Sequence, residues 1–178
     1  MRRKRRPKRR VMIALNILEI KDFMNKLLCG DTFDHFLLRE AAITGSAAWS
    51  LDGALNRGFY SEDELEQEGL AGLSYLPFSA LRPQCFALIR GKRTPSYFKF
   101  VFLLSPSNLA RTLAQTRSSF SPSDITGLFI NLRFQDGTLL LTTGVSYRIF
   151  STDKSLEQEW DSLVKRFLKS HEISFSEL

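Results

Sequence analysis

Apolar positions along this chain change their period several times, and each change marks an element. Residues 12–20 are apolar almost without a break, as in a strand. Over 20–29 the spacing turns helical: Phe23, Met24, Leu27 and Leu28 share one face, and Gly30 supplies a stop. Segments 36–44 and 47–55 read as strands paired across Thr44, Gly45 and Ser46. Ser61, Glu62, Asp63 and Glu64 form a capping box, predicting a short acidic helix as far as Glu68, closed by Gly69 and Gly72. A further helix is predicted over 79–90, with Pro83 in its first turn, where a missing N–H does no harm.

The second half is patterned more strongly. Residues 97–104 join aromatic and branched side chains in a dense β-run. Ser105 and Pro106 are an N-cap and first-turn pair, opening a helix to about residue 116. Segments 125–134 and 138–150 are strands joined at Gln135, Asp136 and Gly137, a hairpin signal. The last helix, 155–169, carries Leu156, Trp160, Leu163, Val164 and Phe167 on one stripe. Its acidic residues come early and its basic residues late, which complements the helix dipole. The pattern predicts an α+β fold on a mostly antiparallel sheet, with residues 12–172 as one domain and 173–178 as a tail.

The order strand, helix, strand, strand, helix occurs twice, over 12–68 and 96–169. Aligning 53–68 with 144–159 gives seven identities in sixteen positions, among them Gly53 with Gly144, Arg57 with Arg148 and Phe59 with Phe150. Leu65 through Glu68 repeats as Leu156 through Glu159, and Phe23 and Leu27 match Leu109 and Leu113. An internal duplication is the expectation. The run from Tyr97 to Pro106 feeding a helix, followed by Leu139 through Gly144 and Arg148, resembles a repeat unit of the sliding (processivity) clamps. That resemblance implies a clamp-like fold built from duplicated units, in a single domain rather than a ring around DNA. The segments 20–28, 91–95 and 156–160 also resemble a family of short bacterial proteins of unknown function, which implies no activity.

Charge alters this picture in one place. The chain of 178 residues has a formal net charge of +6, but residues 1–10 alone hold eight arginines and lysines. Without them 17 basic residues stand against 19 acidic ones, a net of −2. The body is mildly acidic, so a high isoelectric point carries no general case for nucleic-acid binding. The basic run reads either as a disordered arm touching phosphates or as sequence upstream of a start at Met12. No signal peptide or membrane span is expected, and the two cysteines, Cys29 and Cys85, suit a reducing cytoplasm.

Candidate chemistry is sparse. His35 and His171 show no metal-ligand spacing with the cysteines, and no nucleotide-binding or nucleophile motif occurs. No cofactor is expected. The one nucleophile to weigh is Cys85: with Pro83 opening a helix, the thiol would sit in the first turn beside Arg82, with His35 as a base. The opposite reading makes Cys85 a core residue, since Phe86, Ala87, Leu88 and Ile89 follow it. The densest cations outside the arm are Arg90, Lys92 and Arg93 around Gly91; Lys21, Lys26 and Arg111 lie on the repeated helices. These six are the candidate phosphate contacts. The chain thus reads as a non-enzymatic binding module for nucleic acid or a partner protein. The alternative is a small enzyme with its site around Cys85 or the acidic residues.

Overall fold

A computed structural model describes residues 13–178, and the basic run lies outside them. The elements are β1 (Ala14–Ile17), α1 (Ile20–Leu28), β2 (Phe36–Thr44), β3 (Ala48–Asp52), α2 (Glu62–Gln67), α3 (Phe78–Ile89), β4 (Tyr97–Leu104), α4 (Pro106–Gln115), β5 (Ile125–Gln135), β6 (Thr138–Tyr147), α5 (Ser155–Ser170) and β7 (Phe175–Glu177). The local signals work as their chemistry requires. Ser61 Oγ accepts from Glu64 N at 3.2 Å while Ser61 N donates to Glu64 Oε2 at 2.7 Å, and Asn108 N donates to the Ser105 hydroxyl. Asp136 and Gly137 both have positive φ, +52° and +73°, the backbone that a two-residue β5–β6 turn needs.

All seven strands form one antiparallel sheet in the order β3-β2-β4-β5-β6-β1-β7. Register assigns its two faces. Ile43, Phe98, Phe134 and Leu139 align across four strands on one face, and Ala41, Phe100, Leu132, Leu141 and Leu15 align across five on the same face. This face is the core, where α1, α3, α4 and α5 bury Phe23, Leu27, Phe78, Leu109, Leu113, Leu156, Trp160, Val164 and Leu168. Phe102 is the hub, with Phe33, Phe78 and Phe100 at centroid distances of 5.4, 5.0 and 5.9 Å. Such pairs add to the stabilisation that area burial provides.

The duplication is not built. β2–β3 and β5–β6 are both hairpins, but the strands before them go to unrelated places. β4 and β5 are adjacent and opposed, whereas β1 and β2 run the same way with three strands between them. The repeated tetrapeptide lies on α2 in one half and α5 in the other, and Leu65 is buried outside the core cluster while Leu156 is inside it. The clamp-like reading loses the repeat it leaned on. Two further corrections concern the ends of elements. Residues 173–178 are no free tail: Ile173 is buried and β7 pairs with β1, Asn16 opposite Ser176. Helix α3 starts at Phe78, anchored by that ring against Phe100 and Phe102, so Pro83 falls inside the helix and not in its first turn.

Residues 54–75 leave the sheet and return. Gly53 N donates to Arg39 O, Leu76 N donates to Gly53 O, and Leu38 N donates to Leu76 O, each at 2.9 Å. Arg57 closes the excursion from within by donating to the carbonyl of Ala71. The excursion leaves the end of β3, beside the place where a β-bulge in β2 separates Leu38 from Glu40.

Candidate binding face

The face of the sheet opposite the core mixes polar and apolar side chains. Ala42, Lys99, Arg133 and Leu140 align across it, as do Glu40, Val101, Asn131 and Thr142, then Leu37, Leu103, Phe129 and Gly144. Leu37, Val101 and Leu103 are buried, but Arg39 and Arg133 are exposed and Lys99, Phe129, Asn131 and Thr142 half-exposed. A shallow cleft of about 360 Å³ here is lined by Arg39, Glu40, Lys99, Phe129, Asn131 and Gly144, among others.

Phe129 is the centre of this cleft. A Cβ on Gly127 would come 3.0 Å from its ring, and one on Gly144 would come 3.2 Å from its Cβ. The two glycines therefore leave the room in which the ring lies against the sheet. From the core side Trp160 Nε1 donates to the Phe129 carbonyl at 2.9 Å, fixing the backbone that carries the ring. From the open side the Arg39 guanidinium stands 5.6 Å from the ring centroid, a cation–π contact. Lys99 pairs with Glu40 across β2 and β4, which neutralises one cation while Arg133 stays exposed.

The predicted phosphate contacts separate. Arg90, Lys92 and Arg93 line one cleft of about 560 Å³ with Gly45 and Ser46, at the end of the sheet where β4 begins. Arg90 is partly engaged, its guanidinium 5.8 Å from the Phe86 ring centroid. Lys26 donates to Asp22 at 2.6 Å and to the Glu172 carbonyl at 3.1 Å. Lys21 and Arg111 are exposed on α1 and α4. None of Lys21, Lys26 and Arg111 lines the loop cleft.

Cys85 is a core thiol. It is fully buried in the middle of α3, where burial pushes its pKa up to about 11. Arg82 faces Asp34 instead, donating to both carboxylate oxygens at 2.9 Å. A thiol reagent should therefore titrate one cysteine, the exposed Cys29, in the native protein and two after denaturation. Rapid native reaction of both would put Cys85 in reach of solvent.

The histidines come together although they are far apart in sequence. His35 and His171 line one cleft of about 350 Å³ with Asp31, Asn108 and Phe167. His171 Nδ1 lies 2.9 Å from the Phe167 carbonyl. Among the described residues no group of three or more His, Cys, Asp or Glu is arranged to hold a metal ion. No helix among them is long and apolar enough to cross a membrane. Burial, together with the nearby Glu157 and Asp153, pushes the pKa of the Tyr147 hydroxyl up to about 12, so it holds its proton at neutral pH.

No curated protein matches the chain, and no solved structure matches it. Residues 26–176 match a family of unknown function (DUF5721), a span from α1 to β7, and the chain belongs to that family.

Proposed function

We propose that this protein is a non-enzymatic binding module that takes single-stranded nucleic acid on the open face of its sheet. The observation behind this reading is Phe129, laid against two glycines under the Arg39 guanidinium in a cleft that Asn131 and Lys99 also line, with Arg133 exposed farther along the same face. An aromatic ring on an uncovered sheet face stacks any base, at about 1–3 kcal/mol per base. A guanidinium is planar and cationic, so Arg39 can move from the ring to a base or its phosphate. The loop cations Arg90, Lys92 and Arg93 stand just before the start of β4, the nearest of them, Arg93, six residues ahead of Lys99, and extend the track for a backbone. The acidic body makes diffuse attraction weak, so binding has to be local.

Anisotropy of a labelled 12-nucleotide strand, against the full chain, tests the proposal. Phe129→Ala should weaken single-strand binding about 5- to 150-fold, the equivalent of 1–3 kcal/mol, and leave duplex binding nearly unchanged. Replacing Arg90, Lys92 and Arg93 with Ala should flatten the slope of log affinity against log salt by up to about 2. Equal affinity in parent and Phe129→Ala would mean that cations elsewhere, the N-terminal run or the loop, do the binding and the Phe129 face does not. If no strand binds at all, a protein partner becomes the better reading, with the exposed Ile149 and Phe150 as its first candidate contact.

A further inference from the structure

The two ends of the sheet differ. β7 is a three-residue edge, while β3 presents five residues, of which only Leu51 is half-buried. Exposed edges of this length are usually guarded by lysine, proline or a covering segment, and β3 has neither residue. Its sequence, Ala48-Trp49-Ser50-Leu51-Asp52, carries a tryptophan that is 52% exposed.

Among the described residues, the hydrogen bonds say which backbone groups are unused. Gly53 N bonds Arg39 O, and Gly45 N bonds Ala47 O, so the bonded positions along β3 alternate through Trp49 and Leu51. The N–H and C=O groups of Ala48, Ser50 and Asp52 therefore point away from β2, along the outer edge. A second β3, related by a two-fold axis at Ser50, meets all of them. Ser50 bonds its own copy, and Ala48 bonds the other copy's Asp52 on either side.

Side chains agree with that register. Trp49 and Leu51 are opposite Ile43 and Ala41, so both lie on the core face of the sheet. Around the axis each Trp49 is opposite the other copy's Leu51, covering apolar surface that one chain leaves open. We infer that a second copy of this chain is the occupant of the β3 edge, joining two sheets through an antiparallel β3–β3 pair centred on Ser50. A five-residue strand buries far less than the about 800 Å² per partner of a standard interface, so the association is weak and dynamic. The axis is perpendicular to the sheet, which puts the two open faces on the same side. The inference stands without the nucleic-acid reading, because it uses no residue of the open-face cleft.

Sedimentation of the full chain over about 10–1,000 µM is the experiment, with charge exchange at the axis as its control. Ser50 is exposed, so Ser50→Lys and Ser50→Glu leave the fold intact, as melting temperature will verify. Each substitution alone places like charges directly opposite each other and should weaken self-association at least about threefold. A one-to-one mixture should restore or exceed the parent's association. Emission from Trp49 should shift to the blue with concentration, against constant emission from Trp160, which is 4% exposed. A parent that stays monomeric throughout, or an association that ignores both substitutions, or a mixture that fails to recover, overturns the inference.

Discussion

Phe102→Ala is expected to lower the unfolding free energy by about 4 kcal/mol, within the 3–5 kcal/mol range of buried phenylalanine truncations. The cavity would open where rings from three sources meet: Phe100 beside it on β4, Phe78 from α3 and Phe33 from the α1–β2 connection. Neighbouring rings cannot collapse into the space, because Phe33 also packs on Phe23 and Phe167, and Phe78 also packs on Phe100. For a chain of this size the melting temperature should fall by roughly 8–16 °C. Urea titration and calorimetry measure both numbers. A loss under about 1.5 kcal/mol would show that the core is not organised around this ring.

Gly53→Ala should be nearly as damaging, for a backbone reason. Gly53 is buried, and a Cβ there would land on the carbonyl oxygen of Leu38 and within 2.8 Å of its carbonyl carbon. Backbone on both sides must move. The line Arg39–Gly53–Leu76, three chain segments joined by two hydrogen bonds, is the part that gives way. Overpacking of 1–3 kcal/mol with a lost buried hydrogen bond or two predicts about 3 kcal/mol. Gly45→Ala is the control: no atom lies within 4 Å of its added Cβ, so the change should stay within about 1 kcal/mol. Equal effects at the two positions would mean that β2 and the start of the excursion are less closely apposed than the structure has them.

Much of the fold was readable where the signal is local. The capping box at Ser61, the β4 run, the β5–β6 turn and the α5 stripe each depend on residues within one element. What could not be read was non-local. Nothing in residues 14–17 says that they pair with β6 and β7, because alternation gives a strand its faces and not its neighbours. β7 is three residues long, too short for a period to show. The Leu-Glu-Gln-Glu repeat was a real identity that two differently placed helices happen to share. Pro83 misled for another reason: burial of Phe78 decides where α3 starts, and propensity yields to it.

The binding face was half visible. Gly127, Phe129, Asn131, Arg133 and Gln135 alternate along β5 with Leu128, Ile130, Leu132 and Phe134. One aromatic among polar outward positions, with a glycine two residues before it, is a signal that single-strand reading can catch. Arg39 is not. It reaches Phe129 only because β4 lies between β2 and β5, and a basic cluster in sequence, Arg90 to Arg93, drew attention instead.

The excursion 54–75 has a consequence for how such chains vary in length. Gly53 and Leu76 are already hydrogen-bonded neighbours, so the edge of the sheet runs from β3 to Pro77 as if the intervening residues were spliced into it. Leu65 and Leu70 are buried outside the main core cluster, so the segment has its own small apolar centre. Its length is decoupled from strand register: the segment can be lengthened, shortened or replaced while every strand keeps its partners. It is also the natural place to graft a foreign loop or a reporter peptide onto this scaffold, with both junctions fixed by one hydrogen bond.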